Sequence, residues 1–393
     1  MTRAIPLHGA RPGRAKPGPA ARQVVLFAAL LSAVVGPPLV LPGGGPAAWA
    51  VSGELARPRA YASALALPTG EIFVFGGLDE RDPQVVSTTT ELIDPLTGTT
   101  RTLPQRLPGR LHHTMTLAWA DRVVVAGGVE WYGGSFHSTD RVDVYLPYQH
   151  RWIQAAPLLQ ARSDHGAAPL PDGRVLVTGG NFNAHPLASS ELYDPRTDRW
   201  TEAAPLPAPR VRFSMTALPD GRVLVAGGLS QIGQPLGSSA IYEPDRDRWV
   251  AGPNLAFARV QHATVTLPSG DVLFIGGQFA ASNTAERYDV RRNIFTFAGT
   301  LIRPRLVEQA VVLPDGRALI TGGSLEVPGR MDWVPVADAE VWDPATNLWS
   351  AFASPSLPRA LGDLVATREG LYLIGGVGDG LAARQTIERL VLP

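Results

Sequence analysis

"LPDGRVLVTGGN" at 170–181 and "LPDGRVLVAGGL" at 218–229 differ at two of twelve positions and start forty-eight residues apart. A chain that repeats one phrase at such an interval is built from copies of one structural unit. The diglycine of the phrase recurs at Gly76-Gly77, Gly127-Gly128, Gly179-Gly180, Gly227-Gly228, Gly276-Gly277, Gly322-Gly323 and Gly375-Gly376. Upstream of each stands an arginine: Arg59, Arg110, Arg162, Arg210, Arg259, Arg305 and Arg359, with successive spacings of 46 to 54 residues. Seven copies at this period specify a propeller or an array rather than a two-domain enzyme.

Each copy reads as four strands. The first follows the arginine, and a Pro-Asp-Gly or Pro-Ser-Gly turn ends it, with proline setting φ and glycine accepting the left-handed position. The second is an apolar run into the diglycine. The third carries an acid and, two residues on, an aromatic, as in Glu191 and Tyr193, and stops at a proline such as Pro195, which cannot donate to a continuing ladder. The fourth begins with Trp152, Trp200, Trp249, Phe295 or Trp349.

The diglycine, the acid-x-aromatic pair and the tryptophan ten residues before the next arginine resemble the kelch repeat, over about residues 49–393. The resemblance implies an all-β, seven-bladed kelch-type propeller with four-stranded blades. Repeat seven runs out of chain after three strands. Trp49 precedes Arg59 by the same ten residues as Trp152 precedes Arg162, so residues 49–56 are expected to supply the outermost strand of the last blade and close the ring.

Residues 1–48 read as an export signal or membrane anchor. Arg3, Arg11, Arg14, Lys16 and Arg22 precede an apolar run at 24–35, and Ala48-Trp49-Ala50 has the form of a cleavage site. Cleavage after Ala50 would remove the Trp49 that the closing strand needs. The expected location is secreted or periplasmic, with an uncleaved N-terminal anchor as the alternative.

Composition narrows the chemistry. The 393 residues are 45% hydrophobic and 18% charged with zero formal net charge, so a large core is available and nothing draws the chain to nucleic acid. Cysteine is absent and Lys16 is the only lysine, which excludes thiol nucleophiles, thiolate metal sites and Schiff-base chemistry. No cofactor or metal is expected. Among enzymes with propellers of this resemblance, copper-radical galactose oxidases need a cysteine-linked tyrosine, which this chain cannot form. Periplasmic sialic-acid epimerases share the expected export and fold, but no motif here marks their site.

Features shared by every repeat are expected to be structural. The acids Glu91, Asp143, Glu191, Glu286, Glu340 and Glu388 recur with the arginines and suggest Arg–acid pairs near blade junctions; repeat four, with Ala240, tests this. His113, His165 and His262 share one position and read as packed side chains rather than zinc ligands. Function is expected where copies differ. Two residues after the arginine stand Tyr61, His112, Asp164, Arg212, Gln261, Val307 and Leu361, which the resemblance places around the channel mouth. Loops after the diglycines add Glu130, Trp131, Tyr132 and His137, then Asn181, Asn183 and His185, then Arg330, Asp332 and Trp333. Exposed loop aromatics favour recognition, although Trp131 or Trp333 could instead lid its own blade. The expected function is a monomeric binding module for a protein, peptide or glycan, without nucleic acid. The alternative is a carbohydrate enzyme resembling a sialic-acid mutarotase.

Overall fold

The computed structural model describes residues 47–79, 86–119, 121–278, 281, 283–306, 309–326, 333–378 and 382–392. The expected export segment, up to residue 46, lies outside the described residues.

Seven antiparallel sheets of four strands each form the blades. Blade 3 shows the pattern, with strands Gly166–Pro169, Val175–Thr178, Ser190–Asp194 and Arg199–Ala203 in spatial order. First strands of successive blades touch from blade 2 round to blade 7 and on to blade 1, so they line the centre. The second strand reads as an unbroken apolar run because a blade is covered on both faces: Val175, Leu176, Val177 and Thr178 are all buried. Seven apolar clusters sit between neighbouring blades. Phe73 and Phe75 of blade 1 meet Tyr145 and Trp152 of blade 2, and Ile72 and Val74 meet Tyr372 and Ile374 of blade 7.

The ring closes as the spacing predicts. Blade 7 consists of Asp363–Ala366, Leu371–Ile374 and Thr386–Val391, with Ala48–Glu54 as its outermost strand. Trp49 stands opposite Leu390, and its indole donates to Ala353 O at 2.8 Å. Trp200, Trp249 and Trp349 likewise donate to carbonyls of the preceding blade's exit, Ala156, Ala204 and Ala298.

The recurring arginine and diglycine form one latch. In every blade the arginine Nη1 donates to the carbonyl of the first glycine, as Arg162 does to Gly179 O at 2.9 Å. The second glycine donates its N–H onward, as Gly180 does to Arg210 O of the next blade at 2.9 Å. A Cβ on Gly180 would stand 2.5 Å from Ser163 O, at a φ of 83°, so only glycine permits this approach. The turn proline also packs between blades: Pro171 Cγ lies 2.8 Å from where a Cβ of Gly221 would be. In blade 2 Trp119 takes the proline's place and lies against Gly173.

The expected Arg–acid pairs exist in six blades, buried, at 2.5 Å for Arg162–Glu191 and 2.8 Å for Arg259–Glu286. They run within a blade, from the residues that lead into the first strand, or in blade 1 begin it, to the third strand. Glu191 also accepts from Leu159 N at 2.7 Å and Gln160 N at 3.1 Å, which fixes the incoming connector. Arg210, opposite Ala240, sits as its counterparts do, on Gly227 O and Ser238 O. Carbonyls place the arginine; the acid compensates its charge.

A different acid marks the last seam. Asp363 of blade 7 is 4% exposed and accepts from Gln309 Nε2 of blade 6 at 2.5 Å. Burial pushes its carboxyl up to about 8, against the lowering effect of hydrogen bonds from Gln309 and the Ala64 backbone. Between the ordinary aspartate value and about 8, the folded protein keeps a proton that the unfolded chain has released. Stability should therefore fall with rising pH across that window, by at most about 1.4 kcal/mol per unit. Asp363→Asn should abolish this slope, gaining over wild type most at pH 8 and little at pH 4, as read by denaturant unfolding. Parallel profiles for the two proteins would refute it.

Candidate functional site

The residues two after each arginine share an unusual backbone. Tyr61, His112, Asp164, Arg212, Gln261 and Leu361 have φ between 51° and 57°; Val307 lies outside the described residues. The left-handed region costs a non-glycine residue about 1–2 kcal/mol. Here it directs N–H groups to the preceding blade: Asp164 N donates to His112 O at 3.2 Å, Arg212 N to Asp164 O and Gln261 N to Arg212 O, both at 3.3 Å. A run of backbone hydrogen bonds thus follows the mouth from blade 2 to blade 5.

The side chains divide the mouth. On the polar side, His112 Nδ1 lies 3.3 Å and Arg212 Nε 3.9 Å from Asp164 Oδ1, and Asn181 Nδ2 donates to Asp164 Oδ2 at 3.0 Å. Burial lowers the His112 pKa, Asp164 opposes this and Arg212 adds to it, so the ring is neutral near pH 7. On the other side Tyr61 and Leu361 are buried with Ala60, Leu111 and Val377. The Tyr61 and His112 rings meet edge-on with centroids 6.2 Å apart.

In six blades the residue after the arginine bridges to the residue after the diglycine, as in Leu111 with Val129 and Ser163 with Asn181, and in blade 5 Gln278 N donates to Val260 O at 2.9 Å, so the loops rise from this mouth. In blade 2, Val129–Tyr132 and Ser135–Ser138 form a hairpin. Trp131 is half-buried, edge-on to Phe136 and packed on the apolar side of the mouth. Glu130 is half-buried, and Tyr132 is 58% exposed and stacks on His137. The blade 3 hairpin, Asn181–Phe182 with His185–Pro186, leans on that of blade 2: Asn183 N donates to Ser138 Oγ, and Ser138 N to Asn183 Oδ1, both at 3.2 Å. Asn181 and Asn183 therefore also brace the loops. In blade 6, Trp333 begins strand Trp333–Pro335, and Arg330 and Asp332 lie outside the described residues.

Two exposed residues escaped the sequence reading. Phe182, 39% exposed, and Ile232, 78% exposed, stand at the tips of the blade 3 and blade 4 loops. Each directly precedes a residue of positive φ, Asn183 and Gly233, and an apolar residue beside such a turn is the signal that could have found them. With Tyr132 they give three consecutive blades an apolar tip.

The shared histidines are packed side chains. His165 Nε2 meets Thr114 Oγ1 and His262 Nε2 meets Ser214 Oγ, each at 3.0 Å across a blade junction. His113 stands edge-on to Phe75. Burial holds all three pKa values well below the ordinary histidine range. His165 pairs with Thr114.

The fold is a seven-bladed β-propeller of the kelch type. Residues 162–207, from the blade 3 arginine into the connector beyond its fourth strand, match the family model of the Kelch motif. No curated protein matches the chain in sequence. The structure matches 981 solved chains, and a fold by itself selects no activity. One is a fungal alcohol oxidase of the AA5 family in complex with copper, 18% identical, with a TM-score of 0.68 over 89% of this chain and 76% of its own. The chain has no cysteine, and among the described residues no group of three or more His, Cys, Asp and Glu is placed to hold a metal ion.

Proposed function

We propose that this propeller is a binding module that holds a protein or peptide partner on its loop face. The observation that carries the reading is the run of exposed apolar tips, Tyr132, Phe182 and Ile232, on three consecutive blades beside a polar mouth. Apolar and aromatic side chains at loop tips supply contact area, while His112, Asp164 and Arg212 below them supply direction. The basic and apolar segment before Trp49 supports a place outside the cytoplasm for this encounter.

A displayed peptide library selected on the wild-type protein tests the proposal. Selected peptides should bind the variant Tyr132→Ser/Phe182→Ser/Ile232→Ser at least tenfold more weakly, the loss expected when anchor residues are truncated. Its melting temperature should stay near wild type, since these are surface positions. Peptides that bind both proteins equally would defeat the reading.

A second reading rests on the contact of His112 with Asp164 at 3.3 Å, which supports a small polar ligand such as a sugar at the mouth. Loss of sugar binding on His112→Ala, with peptide binding intact, would favour it.

A further inference from the structure

Blade 4 differs from the other six where they bury a carboxylate. In blade 3 the carboxylate of Glu191 gathers Arg162 Nη2 at 2.5 Å, Gln160 N at 3.1 Å and Leu159 N at 2.7 Å, while the same Nη2 donates to Ser189 Oγ at 3.0 Å. Blade 5 repeats this with Glu286, Arg259, Ala256 N and Phe257 N, and blade 6 with Glu340, Arg305, Ile302 N and Arg303 N. The cradle is thus a guanidinium and two connector N–H groups converging on one carboxylate.

Blade 4 keeps the frame. Leu206 N donates to Ala188 O at 2.8 Å, as Leu158 N does to Asp140 O and Leu255 N to Gly237 O. Arg210 is 2% exposed and holds Gly227 O, Ser238 O and Ser238 Oγ. The side chain opposite ends at Cβ, because the residue is Ala240. The connector has changed with it: Pro207 replaces the first N–H donor and leaves that of Ala208. Among the described residues no acid answers the buried guanidinium, whose pKa burial lowers to about 10; in the other four blades whose arginine is lowered, a paired acid opposes that fall. A buried charge without a counter-charge is costly, and arginine does not lose its proton in proteins.

We propose that blade 4 binds a small monovalent anion of the carboxylate type beside Arg210, held by the guanidinium Nη2, the Ser238 hydroxyl and the Ala208 N–H. The bound anion does for blade 4 what Glu191 does for blade 3. The exposed connector at Pro207 and Ala208 is its way in. The site is separate from the loop face, and its test is independent of the partner proposed there.

Thermal unfolding in sodium formate, at an ionic strength held constant with a bulky anion, provides the test. The wild-type melting temperature should rise saturably by a few degrees, as for any ligand that binds only the folded state. Ala240→Glu, which supplies the carboxylate covalently, should melt higher without formate and respond little to it. Equal responses in the two proteins, or none in the wild type, would overturn the proposal. Should Ala240→Glu fail to fold, wild-type crystals soaked in bromide decide: an anomalous peak in hydrogen-bonding range of Arg210 Nη2 supports the site, and bromide only at surface arginines overturns it.

Discussion

Glu191→Ala is expected to lower the unfolding free energy by about 3–5 kcal/mol, the usual cost of removing one partner of a buried ion pair. The carboxylate is 2% exposed and serves three donors at once, Arg162 and the N–H groups of Leu159 and Gln160. The blade 4 connector suggests how to separate these contributions. Pro207 occupies the place of Leu159, so proline fits that backbone. Leu159→Pro, which deletes one donor to Glu191, should destabilise the wild-type protein clearly and the Glu191→Ala protein hardly at all, as measured by urea unfolding. Equal costs in both backgrounds would mean that the connector hydrogen bond contributes nothing.

Removal of residues 1–54 is expected to do more. It strips the outermost strand from blade 7, leaves Thr386–Val391 as an open edge, and takes away Trp49 with its hydrogen bond to Ala353. Half-burying a tryptophan is worth about 2 kcal/mol, and the strand adds its ladder along the length of Ala48–Glu54. The melting temperature should drop by about 10 °C or more, and the open edge should promote concentration-dependent association, visible by light scattering. Removal of residues 1–46 alone should do neither. If both truncations behave alike, the closing strand is not what holds the ring.

Much of the architecture was legible because a repeat announces itself. The interval from Trp49 to Arg59 revealed the closing strand, since the same interval recurs in the other copies. What spacing could not reveal was which atoms meet. The spacing pairs the arginines with the acids, and six blades hold those pairs, but the carbonyls of Gly76, Gly179, Gly227 and their counterparts seat the arginine in all seven. The left-handed backbone at the mouth was hidden because Tyr61, Arg212 and Leu361 are not residues that signal it. Trp131 drew attention as a loop aromatic. Side chains alternate along a strand, and the pairing of Trp131 with Phe136 turns both onto the mouth while Tyr132 faces solvent.

Glycine would relieve the backbone at each described position of positive φ around the mouth, yet none of those six residues is glycine. Because hydrogen bonds between main chains fix the geometry, the amino acid itself can be exchanged with little disturbance to the frame. Partner preference can consequently drift by single substitutions at these points while the scaffold persists unaltered.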